Sequence, residues 1–182
     1  AVVTFVLSLR FEKTEEAAPV LTAAVSHPGT VCAPVSGEMV SRAEIPDETF
    51  AAGVLGEGAG IRPAESRVIA PFNGIISSVA DSGHAVGITS PEGLEVLIHI
   101  GIDTVDMGGK GFTPKVKEGD TVTAGQELIF FDKKAIEAAG HPDIVVVLLT
   151  KSEDYEKVDI SPAGTVSAGT EIIRVPQIIS VQ

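Results

Sequence analysis

Cysteine is almost missing from this chain. Cys32 stands alone, which excludes an internal disulfide and leaves no thiol cluster for zinc. A reducing, cytoplasmic setting follows naturally. Tryptophan is absent and aromatics are only 4% of residues, so the core must be built from Val, Ile, Leu and Ala. Basic residues are scarce: 13 Lys and Arg against 25 Asp and Glu give a net charge of -12. That balance excludes a nucleic-acid phosphate backbone as partner, because such binding needs clustered cations. It favours a basic protein partner, or plain solubility.

No complete membrane span is present either. The opening run AVVTFVLSLRF is apolar for about half of the roughly 20 residues a span requires. It lacks the basic start and cleavage site of a signal peptide. Arg10 and Lys13 directly after it fit a cytoplasmic helix exit. The expectation is that residues 1–30 are the cut end of a transmembrane segment plus a tether, and that residues 31–182 form one domain.

What is there begins at Val31, where short apolar runs broken by Gly and Pro take over. Such punctuation indicates an all-β fold, an antiparallel sandwich or barrel. Two short helices are predicted, Pro46 to Ala52 and Lys133 to Ala139, the second ended by Gly140. The segments at 31–40 and 68–77 share V-x-A-P-x-x-G. Those at 116–129 and 160–173 share a second pattern, Thr-Val-x-Ala-Gly with an apolar end. Two repeats in the same order predict a duplicated β unit whose halves pack face to face.

Two of the four histidines, His84 and His99, flank the turn signal Ser90-Pro91-Glu92-Gly93. A tight hairpin closed by Ser90 and Gly93 puts them directly opposite each other, with Cβ atoms roughly 4.5–5.5 Å apart. Leu94, Val96, Ile98 and Ile100 then form a core row on the other face, while Leu97, Val86 and Glu95 share the histidine face. Pro-Glu is a poor two-residue hairpin centre, and a longer loop would shift the register by one and send the rings to opposite faces. Facing imidazoles serve metal binding, acid–base chemistry, or nucleophilic phosphoryl transfer. Two surface histidines stacked across a hairpin are the plain structural alternative. Zinc asks for three or four ligands, and no HxH, HExxH or Cys cluster accompanies these two.

The stretches VLIHIGIDTV, GHAVGI, APVSGEMV and GKGFTPKVKEGDTVTAGQELIFFD resemble the glucose-superfamily enzyme IIA domain of the bacterial phosphoenolpyruvate:sugar phosphotransferase system. The resemblance runs from about Val31 to Val175. It implies a duplicated β-sandwich, of the barrel-sandwich hybrid kind, and a phosphotransferase without metal or other cofactor. It implies that His99 is phosphorylated, and that His84 hydrogen-bonds the phosphoryl group. Ser82, where the family has Thr, would orient His84, and the carbonyl of Gly101 would hold the other nitrogen of His99. Asp47 and Asp103 match acidic positions, and Phe50 and Leu97 apolar ones, in the docking surface. The implied partners are the histidine-containing phosphocarrier protein as donor and an enzyme IIB cysteine as acceptor, at the cytoplasmic face of the membrane. Departures at Ala80, Glu48 and Thr49 make that surface less apolar than in some members. GKGFTPKVKEGD and HPDIVVVLLTKSEDY are most similar to β-glucoside, sucrose or trehalose permeases, in which this domain is fused to enzymes IIB and IIC. His27 and His141, each before a proline, are loop histidines without a role, and Cys32 is a packed thiol. The alternatives are a zinc hydrolase on a similar duplicated sandwich, a lipoyl-type module, which would need a hairpin-tip lysine, and a phosphorylation-dependent regulator.

Overall fold

The computed structural model describes residues 27–176. The expectation for residues 1–26 lies outside the described residues. In chain order the elements are β1 (Thr30–Cys32), β2 (Gly37–Ser41), α1 (Glu48–Ala52), β3 (Glu57–Pro63), β4 (Arg67–Ile69), β5 (Gly74–Val79), β6 (Ala85–Thr89) and β7 (Glu95–Ile100). They continue with β8 (Phe112–Pro114), β9 (Thr121–Val122), β10 (Glu127–Phe131), α2 (Lys133–Ala138), β11 (Val145–Leu149), β12 (Asp159–Ile160), β13 (Gly164–Val166) and β14 (Glu171–Arg174). The strands pair antiparallel in three sheets, ordered β13-β2-β3-β11-β7-β6-β5-β9, β1-β14-β12 and β4-β10-β8. The all-β expectation holds, as do both short helices. Asp47 caps α1 by accepting the Phe50 N–H, and Asp132 caps α2.

The repeats carry the architecture. Cys32 N–H donates to the Pro71 carbonyl, and its counterpart Ile69 N–H donates to the Pro34 carbonyl. The two V-x-A-P-x-x-G segments are thus bonded to each other by matched pairs. β1 pairs with β14 as β4 pairs with β10, and β13 crosses β2 at Val166–Gly37 as β9 crosses β5 at Val122–Gly74. This is a duplicated unit, with the second pattern of each copy laid against the first.

Alternation along the long sheet divides its faces. Val96, Ile98 and Ile100 of β7, with Val145, Val147 and Leu149 of β11, are buried in the main core, which Val68, Leu128, Phe131 and Ile172 of the smaller sheets and Phe72 of the β4–β5 connection complete. The opposite face is covered over part of its area by a second cluster, Val40, Ile45, Phe50, Ile102, Ile144, Val146 and Leu148. His99 belongs to this second face, between Ala85 of β6 and Val146 of β11. A mid-sheet position with paired neighbours on both sides gives it a rigid base. Cys32 is buried in β1, and burial raises its thiol pKa, as befits a packed side chain.

Candidate active site

The hairpin joining β6 and β7 differs from the expected one. Ser90 N–H donates to the Leu94 carbonyl, so Pro91, Glu92 and Gly93 make a three-residue loop, with Gly93 at φ +93°. Glycine is the residue that takes such a φ without strain. The register moves by one: Ala85, not His84, stands opposite His99, and Val86 faces Ile98 in the main core instead of sharing the histidine surface. The core row Leu94, Val96, Ile98 and Ile100 is as expected.

The rings nevertheless meet. His84 precedes β6, on a turn in which Gly83 takes φ +71°, so strand alternation does not dictate where its side chain goes. The His84 and His99 ring centroids are 4.7 Å apart at 81°, edge to face. Phe112 at the start of β8 meets the His84 ring at 6.3 Å, and Phe50 of α1 meets the His99 ring at 5.2 Å. Each imidazole is thus backed by an aromatic ring as well as by the other.

Hydrogen bonds set the two rings differently. His99 Nδ1 donates to the Gly101 carbonyl at 2.8 Å, which leaves Nε2 with its lone pair free. Ser82 Oγ lies 2.5 Å from His84 Nδ1. When the hydroxyl donates there, His84 carries its proton on Nε2 and becomes a donor. One ring then offers a nucleophile and the other a hydrogen bond, each held by a partner two residues away in sequence.

Gly101 is where the chain demands glycine. Its φ is +75°, and a Cβ there would come within 2.3 Å of Thr104 Cγ2 and 3.0 Å of the Pro142 carbonyl oxygen. Thr104 is fully buried and donates from Oγ1 to the Ile100 carbonyl at 2.6 Å, bracing the turn that presents the Gly101 carbonyl. Asp103, between Ile102 and Thr104 in this turn, has φ 57°, the only positive value at a non-glycine among the described residues.

Burial is the main reason the His99 pKa falls from 6.5 to about 4, with the neighbouring His84 adding to the drop; the Gly101 hydrogen bond and the charges of Asp47 and Asp103 oppose it. Burial also lowers His84. Both rings are therefore neutral over the cellular pH range. His99 reactivity is expected to stay flat from about pH 8 down to about pH 5.5 and to fall only as pH approaches 4, its own titration midpoint. Stability follows the same window: the unfolded chain binds a proton near 6.5 that the native site refuses until about 4, so native stability declines as pH drops between those values. A pH series of thermal unfolding, with His99→Gln as reference, reads this directly.

All the expected site residues are accounted for. Asp47 is half-buried and Asp103 exposed, and both are close enough to influence the His99 charge. Asp47 also holds the end of α1, so the helix-capping role and an acidic rim coexist. Phe50 is buried against His99 and not free on a rim, because α1 lies over the second cluster. Leu97 is half-buried two residues before His99 on the same face of β7. Glu48 and Thr49 are exposed and Ala80 half-buried.

Sequence reasoning missed Thr104, although it closes the H-x-G-I-D-T motif, and Phe112. It also missed the exposed apolar side chains Val54, Leu55 and Val105, which follow α1 and Asp103. Among the described residues, no group of three or more His, Cys, Asp or Glu side chains is gathered to hold a metal ion, so the zinc-hydrolase alternative gains nothing.

Comparison with known proteins agrees with this geometry. Residues 29–155 match the family model described as phosphoenolpyruvate-dependent sugar phosphotransferase system, EIIA 1. A β-glucoside-specific EIIBCA component of Dickeya chrysanthemi is 43% identical over 143 residues, 79% of this chain and 23% of that protein. The glucose-specific EIIA component of Staphylococcus epidermidis is 40% identical over 146 residues, 80% of this chain and 88% of its own length. The solved structure of glucose permease IIA from Mycoplasma capricolum superposes with a TM-score of 0.71 at 30% identity, covering 79% of this chain and 93% of that one. The chain spans under a quarter of the length of the β-glucoside-specific relatives, 23% and 22%. Family model, relatives and superposition converge: the chain belongs to the EIIA 1 family, a phosphotransferase component of the phosphoenolpyruvate-dependent sugar phosphotransferase system.

Proposed function

We propose that Nε2 of His99 is the phosphoryl acceptor and that His84 holds the phosphoryl oxygens. The observation that carries this reading is the opposite setting of two touching rings: Nδ1 of His99 faces the Gly101 carbonyl, which can only accept, while Nδ1 of His84 faces the Ser82 hydroxyl, which can donate. In the first step the Nε2 lone pair attacks phosphorus in line, the Nε2–P bond forms, and the bond from phosphorus to the donor breaks. The proton stays on Nδ1, donated to the Gly101 carbonyl, throughout. In the second step an acceptor nucleophile attacks the same phosphorus and His99 leaves as neutral imidazole. Such chemistry asks for placement and charge stabilisation and little else.

The donor is the histidine-containing phosphocarrier protein and the acceptor an enzyme IIB cysteine. Relatives named EIIBCA components support the acceptor and its covalent fusion. Asp47 and Asp103 supply a negative rim for a basic donor surface, with exposed Val105 beside Asp103 as an apolar contact. The reaction takes place at the cytoplasmic face of the membrane. The residues ahead of β1 tether the domain to its permease, a reading supported by the fusion that the name EIIBCA gives to the relatives.

Incubation with phosphoenolpyruvate, enzyme I and the phosphocarrier tests the proposal. The chain should take up one acid-labile phosphate, and His99→Gln should take up none. Full labelling of His99→Gln would refute it.

A further inference from the structure

α1 has only five residues, too few to hold a helix by its own hydrogen bonds. Its position must come from its two ends and from Phe50. Asp47 fixes the first end. Arg42 fixes the other: its Nη1 donates to the carbonyl of Ala51 and to that of Phe50, which also accepts the Gly53 N–H, while Nη2 pairs with Glu57 at 3.4 Å. Gly53 makes room for this. It closes α1 at φ +76°, and a Cβ there would lie 2.5 Å from Arg42 Nη1. Arg42 is itself anchored, because the turn that carries it opens with a capping box between Ser41 and Glu44. The guanidinium therefore ties β3, through Glu57, to the helix whose Phe50 ring lies 5.2 Å from His99.

We infer that Arg42 is a positioning residue for the phosphoryl acceptor, holding α1 so that Phe50 screens the His99 imidazole from water. This rests on the phosphoryl-acceptor reading above, but its first consequence needs no phosphate. The titratable groups that face His99 are His84, Asp47 and Asp103, and burial outweighs all three in setting its protonation. Releasing α1 admits water to the ring and relieves that burial, so His99 should protonate at higher pH.

Arg42→Met removes the donors and keeps much of the stem. Gly53→Ala keeps the charge but displaces the guanidinium, so it separates positioning from simple charge loss. In the unphosphorylated protein, NMR titration of the imidazole signals should move the His99 midpoint upward by about one pH unit in both variants. The ring-current shift from Phe50 should diminish, and phosphoryl uptake should slow on the order of tenfold. If Arg42→Met does not fold, Arg42→Lys, which cannot bridge two carbonyls and a carboxylate, takes its place with a smaller shift in the same direction. An unmoved midpoint in both variants overturns the inference, as does a shift in only one of them. Failure of wild-type phosphorylation would instead strike the acceptor reading and leave the titration result standing.

Discussion

His84→Gln is expected to accept phosphate within a few-fold of the wild-type rate and to lose onward transfer by a factor on the order of 100 or more. The asymmetry comes from the charge of the two nucleophiles. In the proposed reaction, acceptance is attack by the neutral Nε2 of His99, made available by the Gly101 bond. Onward transfer to a cysteine is attack by a thiolate, the reactive form of that side chain, on a phosphoryl group that is already negative. Repulsion must be offset in that second transition state. His84 can offset it: burial keeps its pKa low in the resting site, and a dianion placed beside it raises that pKa again. A proton taken from solvent, with His84 Nδ1–H turned to donate to Ser82 Oγ, then sets positive charge against the phosphoryl oxygens. A glutamine amide donates a hydrogen bond but never carries that charge. Single-turnover transfer from purified phosphoprotein to enzyme IIB checks this, and wild-type transfer by His84→Gln would remove His84 from its role.

Gly101→Ala is expected to cost about 3 kcal/mol of stability and to slow phosphoryl uptake as well. The backbone at φ +75° disfavours any side chain, and the added carbon would run into Thr104 Cγ2 at 2.3 Å. Either the turn shifts or Thr104 does. A shifted turn moves the carbonyl that holds His99 Nδ1, and a ring free to rotate or change tautomer no longer keeps Nε2 bare. For a domain of this size the melting temperature should fall on the order of 10 °C. Adding Thr104→Ser removes the colliding methyl group and keeps the hydroxyl that reaches the Ile100 carbonyl. Thermal unfolding of the double variant should therefore recover part of the loss. No recovery would mean that backbone strain alone accounts for the cost.

The sequence carried the duplicated unit plainly, because V-x-A-P-x-x-G imposes the same turn and the same backbone bonds in each copy. The helix ends were legible for a similar local reason: Asp47 and Gly140 act on neighbours a few residues away. The hairpin register was not. Ser90 to Gly93 reads equally as a two-residue or a three-residue loop, and the structure takes the longer one. A one-residue slip should have parted the histidines, as it sent Val86 into the core. They stay together because His84 sits on the Gly83 turn, outside the strand whose alternation the argument assumed. The resemblance named two histidines whose rings the structure brings together, while the pairing geometry joined them by an incorrect register. Thr104, Phe112 and Arg42 were missed because each acts across the fold or through backbone atoms, and neither spacing nor periodicity records such contacts.

The central claim is that His99 reacts through Nε2 because Nδ1 is committed to the Gly101 carbonyl. Nitrogen-15 NMR of the phosphorylated chain, with the imidazole nitrogens assigned, reports which ring atom bears phosphorus. The account predicts phosphorus on Nε2 of His99, a retained Nδ1 proton, and no second phosphorylated residue. Phosphorus on Nδ1, or on any side chain other than His99, would contradict it.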